Sequence, residues 1–192
     1  MSTTEMAMDS QASSFTPSWQ LIPLPKKRLF LPEALQLSSW TELEPFFKDL
    51  DHRELANLAA LLKWLSDRSE LEAFLDEDLA WRYIRMTCDT ESVEKREAYE
   101  LFIRDIFPAA APYDDRLNRK LLAAEGLNEV GYPGFGLYLK RVKSAVALYR
   151  EENVALQAQQ KQIESEYGAI VGAMTIRWEE QEYTLPQAAQ LL

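Results

Sequence analysis

The chain has 192 residues, 47% of them hydrophobic, enough for one sizeable buried core. Its 31 acidic and 21 basic side chains leave a formal net charge of -10. That balance argues against nucleic-acid binding, which rests on Lys and Arg neutralising phosphates. Cys88 is the only cysteine, so no intrachain disulfide is possible and a reducing cytoplasm is expected. The first twenty residues lack the basic start and apolar run of a signal peptide. No window approaches the roughly 20 apolar residues that cross a bilayer.

Residues 1–35 are expected to form a flexible leader. Pro17, Pro23, Pro25 and Pro32 oppose helix there by removing donors and restricting the residue before them. The only basic cluster, Lys26-Lys27-Arg28, reads as a solvated linker, and Phe30 and Leu31 are placed to pin the leader's end onto the body.

Ser39 and Glu42 have capping-box spacing and open the first helix. A longer helix is expected after Asp51, with Leu55, Leu58, Leu61, Leu62 and Leu65 on one stripe. Ser69 and Glu72 repeat the box spacing and open the next helix. Its buried face carries Leu71, Phe74, Leu75, Leu79, Tyr83 and Met86, and Asp89-Thr90 ends it. A helix from Ser92 to Phe107 presents Tyr99, Phe102, Ile103, Ile106 and Phe107. Pro108 and Pro112 bracket a short Ala connection, and Leu117, Leu121 and Leu122 mark a helix ending near Gly126.

The loop from Gly131 to Gly136 leads into the expected longest helix, Leu137 to Gly168. There Val142, Tyr149, Leu156, Ile163 and Ile170 recur every seven residues, but the companion positions are polar. A two-stranded coiled coil needs both positions apolar, so one spine along the edge of a lobe is expected instead. After Gly172, Ala173–Trp178 and Gln181–Leu185 read as a hairpin. Glu179 and Glu180 stand at its turn and tolerate positive φ poorly, so a loose turn is expected over a tight one. Pro186 suits the start of a final helix reaching Leu191-Leu192, an apolar ending that reads as a cut. The stripes and the single β-rich segment predict an all-α fold: an antiparallel helical lobe with one long helix and a small β-hairpin near the C-terminus.

Groups that carry chemistry are sparse. His52 is the sole histidine and is expected to be an exposed helix-start residue. Hydrolytic zinc needs two imidazoles one helical turn apart, a third ligand and an activating glutamate, which one histidine cannot supply. Asp76-Glu77-Asp78 and Tyr113-Asp114-Asp115 lack the spacing of a calcium loop and read as solvated helix ends. Glu70, Glu72, Asp76 and Glu77 pair carboxylates without companion site residues. Cys88 is expected to be buried and inert, with no base near it. The Gly131–Gly136 loop lacks the ending of a phosphate cradle, although Tyr132 and Phe135 suit contact with a peptide or a neighbouring domain. Arg82 and Arg85, beside Trp81 and Tyr83, suit a peptide carboxylate, but pairing with Glu77 and Asp78 one turn earlier is the favoured reading. No catalytic residue or metal ligand is assigned, and the substrate-binding residues are left open.

Two segments carry a family likeness. Ala80-Trp81-Arg82-Tyr83-Ile84-Arg85-Met86-Thr87-Cys88-Asp89-Thr90 is one; Tyr167-Gly168-Ala169-Ile170-Val171-Gly172-Ala173-Met174-Thr175-Ile176-Arg177-Trp178, closing with Tyr183-Thr184-Leu185-Pro186-Gln187-Ala188-Ala189-Gln190-Leu191-Leu192, is the other. Together they resemble the N-terminal helical region of oligoendopeptidase F-type enzymes, zinc metallopeptidases of the thimet oligopeptidase superfamily. The resemblance runs from about Phe30 to the last residue. It implies a helical N-terminal lobe over residues 36–172. Residues 173–192 would then form the hairpin and the start of a helix leading into a catalytic domain absent from this sequence. The complete enzyme would hydrolyse short oligopeptides with one catalytic zinc. This chain would form a cleft wall, be inactive alone and have the missing domain as its partner. The family's His-Glu-x-x-His motif does not occur here. The alternative expectation is a stand-alone helical protein-interaction module.

Overall fold

The computed structural model describes residues 27–190. The Ser39–Glu42 capping box is present, but it opens a single 3-10 turn, Trp40–Glu42, ahead of α1 (Glu44–His52). The Ser38 hydroxyl and backbone N–H both donate to the Glu42 carboxylate at 2.6 Å. These bonds, the hydroxyl's first, hold the carboxyl below its ordinary pKa. His52 is the last residue of α1 rather than a helix start, and its Nδ1 lies 2.7 Å from the Lys48 carbonyl.

Asn57 caps α2 (Leu58–Cys88), its side-chain oxygen accepting from the Ala60 N–H at 2.9 Å. Leu55 therefore lies in the connection. The helix continues through Ser69 for 31 residues, where two helices are expected from the sequence. No glycine or proline falls between Leu58 and Cys88, and Leu, Ala, Glu and Arg propagate a helix once it is nucleated. The box spacing at Ser69 finds no free helix end to cap.

Helix α3 (Val93–Leu101) passes through a π turn, Phe102–Ile106, directly into α4 (Phe107–Leu122). The expected Ala connection is instead helical, with Pro108 in the first turn of α4 and Pro112 inside it. Proline offers no N–H, so the Arg104 carbonyl has no ordinary partner at Pro108. The Phe107 N–H bonds to the Phe102 carbonyl five residues back, which shifts the ladder just before the gap. Phe102, Ile103 and Ile106 are buried on this rod, as their spacing predicts.

Gly126, with φ 77°, turns the chain into a short 3-10 turn, Leu127–Glu129. The expected longest helix is two: α5 (Phe135–Leu148) and α6 (Glu151–Gly172), separated by the extended Tyr149 and Arg150. The break lets both helices pack against α4. The Arg150 guanidinium donates to the Ala147 carbonyl at 3.1 Å and the Tyr149 carbonyl at 2.6 Å, serving oxygens freed at the end of α5. The seven-residue spine is split as well. Val142 is buried, but Leu156, Ile163 and Ile170 are 61%, 64% and 66% exposed. Helix α6 turns its smaller side chains inward instead, with Val154 buried and Ala158 and Ser165 half-buried.

The core gathers Leu43, Phe47 and Leu50 with Leu61, Trp64 and Leu71 of α2 and Ile106, Leu117 and Leu121 of the α3–α4 rod. The Trp64 indole N–H donates to the Leu50 carbonyl at 2.9 Å. The Glu70 carboxylate accepts the backbone N–H groups of Leu29, Phe30 and Leu31 at 2.9, 3.0 and 2.8 Å. Phe30 stands edge-on to Phe46, and Leu31 is buried. Among the described residues no helix is long and apolar enough to cross a membrane.

Strands β1 (Thr175–Trp178) and β2 (Gln181–Thr184) pair antiparallel, with Trp178 opposite Gln181. That register leaves two residues for the turn, and Glu179 and Glu180 both adopt positive φ, 47° and 66°. The turn is therefore tight where a loose one is expected, because the ladder dictates its length and both glutamates accept the strain. Thr184 and Gln187 form a capping box on α7 (Leu185–Ala188), with Pro186 in its first turn. The expected apolar ending at Leu191-Leu192 lies outside the described residues. Left-handed backbone costs a residue other than glycine roughly 1–2 kcal/mol. Replacing Glu179→Asn together with Glu180→Gly should thus strengthen the hairpin by about 1 kcal/mol or more. Amide exchange across residues 175–184 should slow at least several-fold; unchanged or faster exchange would refute the strained turn.

Candidate functional site

Helices α2, α3 and α6 converge around an open groove of about 350 Å³. Tyr83 and Met86 enter it from α2, Arg96 and Tyr99 from α3, and Glu164 and Ser165 from α6. Small residues keep it open: a Cβ at Gly168 would meet nothing within 4 Å. The Tyr83 and Tyr99 rings lie 5.8 Å apart, and the Ser165 hydroxyl is 3.6 Å from the Met86 sulfur. Burial pushes the Tyr99 hydroxyl pKa up, aided by Tyr83 and Glu164, so it stays a neutral donor. The walls carry two tyrosine rings, one carboxylate and one guanidinium, chemistry that suits an apolar group with a polar neighbour. The lining holds no nucleophile paired with a base.

Sequence reasoning missed the α6 wall because it followed the apolar spine. The available signal was the set of small residues Ser165, Gly168, Ala169 and Gly172 along one side of α6, which line the groove.

Arg82 does pair with Asp78, with Nε at 2.5 Å from the carboxylate. Its other donors reach the Ala98 carbonyl at 2.7 Å and the Leu37 carbonyl at 2.5 Å, tying α3 and the segment before α1 to α2. Arg85 lies over the Trp81 ring at 5.8 Å, and it lines one open cleft with Arg82, Asp78, Glu94 and Lys95. Glu77 faces Arg28 at 3.9 Å rather than Arg82. Cys88 is exposed, against the expectation of a buried thiol, because α2 carries its last turns past the core with Trp81, Tyr83 and Ile84 also exposed. That same projection leaves Tyr83 outside the buried face assigned to it. Tyr132 of the glycine loop is exposed, while Phe135 stacks near Tyr138 at 5.8 Å.

The carboxylates have structural work. Asp67 is buried and held by Lys63 and by Arg53 at 2.6 Å. Arg68 is buried, donating to Glu72 at 2.7 Å and to Asn118 at 2.7 Å. Asp114 and Asp115 lie within α4 and Asp76, Glu77 and Asp78 within α2, not at solvated helix ends. Among the described residues no three His, Cys, Asp or Glu side chains converge to hold a metal. The zinc implied by the resemblance does not fit residues that include a single imidazole.

Asp114 is the outlier. Burial pushes its carboxyl up to about 7, helped by Glu72 and Asp76 of α2 and opposed by Arg68. The folded state thus holds a proton that the unfolded state releases near pH 4, so this group's stabilisation is full below about pH 4 and is lost as pH rises towards 7. Asp114→Asn should raise the unfolding midpoint at pH 8 by a few degrees and change it little at pH 4.5. A variant equally or less stable at pH 8 would contradict this.

Residues 30–131, from the docked Phe30 through α4 to the loop before α5, match the family model described as the Peptidase M3 N-terminal domain. No curated protein and no solved structure matches the chain significantly. The match covers more than half of the sequence and the helices that bury the core, α1 to α4: the chain belongs to the peptidase M3 family and carries its N-terminal domain.

Proposed function

We propose that the chain is the helical front lobe of an oligoendopeptidase F-like metalloendopeptidase. The match of residues 30–131 to the Peptidase M3 N-terminal domain carries this reading. Residues 36–172 serve as the lobe, and residues 173–192 lead towards a zinc-bearing catalytic domain that is its partner. The lobe supplies one wall of a cleft for short, unfolded peptides in the cytoplasm. The groove bounded by Tyr83, Tyr99 and Glu164 supports that role, since it offers contact surface and no reacting group. With one histidine, this chain cannot assemble the two-imidazole zinc site or its activated water. Its residues therefore bind and exclude, and the hydrolytic step belongs to the catalytic domain.

A second reading, a stand-alone interaction module, draws support from the exposed Leu156, Ile163 and Ile170 on α6. It predicts a protein ligand on α6 and no peptide contact in the groove.

Two measurements test the lobe reading. After dialysis the purified chain should hold no stoichiometric zinc and leave fluorogenic oligopeptides uncut; one zinc per chain with chelator-sensitive cleavage would overturn the assignment of chemistry. A photoreactive oligopeptide should label the segments around Tyr83 and Tyr99 and be displaced by unlabelled peptide. No displaceable label there would favour the module.

A further inference from the structure

The groove between α2, α3 and α6 carries one charge of each sign, and the protein leaves both largely free. Among the described residues the Arg96 guanidinium makes no hydrogen bond, and its one ion pair, with Glu100, is 3.9 Å long. Glu164 accepts from the Gln160 amide at 2.9 Å on one oxygen only. Tyr99 is 9% exposed, yet its hydroxyl finds no hydrogen-bond partner among the described residues. That hydroxyl lies close enough to Glu164 of α6 to feel its charge. Buried polar groups ordinarily have partners, so underused ones around a single space mark a place for a ligand.

Charge complementarity selects that ligand. A guanidinium pairs best with a carboxylate, and Glu164 takes a cation such as an ammonium. A molecule bearing only one of these charges leaves the opposite wall without its partner. The Tyr83 ring and Met86 add an apolar surface, and a Cβ at Gly168 would meet nothing within 4 Å, so space remains for a side chain. At about 350 Å³ the groove matches the small end of ligand sites. An extended peptide separates its ends by about 3.4 Å per residue, so only the shortest brings both into one groove.

We propose that this groove binds a small zwitterion with an apolar side chain, a free amino acid or a very short peptide. Its carboxylate pairs with Arg96, its ammonium with Glu164, and its side chain lies against Tyr83, Tyr99 and Met86. The inference narrows the peptide contact proposed for this groove to ligands with both ends free, and it rests on that reading.

The test is an NMR titration of the isotope-labelled full chain at neutral pH. The probes are phenylalanine, alanyl-phenylalanine and two blocked forms, N-acetylphenylalanine and phenylalanine amide. Amides around Tyr83, Arg96, Tyr99 and Glu164 should shift saturably with a free-ended probe, and the tighter of the two free-ended probes names the source. Each blocked form should bind about ten-fold more weakly than phenylalanine, the scale of one charge-assisted bond. Arg96→Gln should erase the preference over phenylalanine amide, and Glu164→Gln the preference over N-acetylphenylalanine, at unchanged far-ultraviolet circular dichroism spectra. Gly168→Leu, placed in open space, should abolish every shift. Blocked and free probes binding alike, variants that keep both preferences, or no saturable shift would overturn the inference. Continued labelling of the groove by the photoreactive oligopeptide would then leave the peptide reading standing, whereas loss of that labelling too would sink it.

Discussion

Trp64 is fully buried, with its indole N–H on the Leu50 carbonyl and the Arg68 guanidinium 5.5 Å over its ring. One side chain thereby joins the end of α1, the first half of α2 and a buried arginine. A buried indole left without an acceptor would cost about 1–3 kcal/mol, so α1 is held where its last carbonyls can serve α2. Arg53, just after α1, and Lys63 both reach the buried Asp67, which secures the same junction from the polar side. Arg68 extends the contact to α4 through Asn118. Further along α2, Arg82 binds α3 and the Leu37 segment. Residues 29–31, α1 and α3 are thus tied to α2, while α5 and α6 pack on α4.

Several of the chain's carboxylates are engaged: Glu70 holds residues 29–31, while Asp78 pairs with Arg82 within α2 and Asp115 with Arg119 within α4 at 2.7 Å. Apolar side chains are exposed on the projecting end of α2 and on the outer face of α6, and the groove lies between these helices.

Much of the fold was legible. Leu71, Phe74 and the Tyr99–Ile106 stripe are buried because three-and-four periodicity reports directly on burial, and the hairpin stands where β-branched and aromatic residues cluster. The Arg82–Asp78 pair follows from one-turn spacing. The misreadings have physical causes. A capping box is only a spacing, so Ser69 inside α2 looks like a start. Prolines stop a helix unless the ladder shifts, as the π turn at Phe102–Ile106 does here. The break at Tyr149–Arg150 has neither glycine nor proline to announce it and comes from packing α5 and α6 on one partner. The groove was missed because small side chains form its α6 wall, and apolarity alone does not mark them. Asp114 shows no sign in sequence of the burial that shifts it, since its neighbours Glu72 and Asp76 come from another helix.

The central claim is that α2 is one uninterrupted helix, to which α1, α3 and residues 29–31 are tied. Native-state hydrogen exchange resolved along residues 58–88 tests it most directly. The account predicts that the amides from Ser69 to Glu72 are protected as strongly as those of Leu61 and Trp64 and open with them in a single unfolding step. Fast exchange confined to Ser69–Glu72, with separate openings on either side, would contradict it.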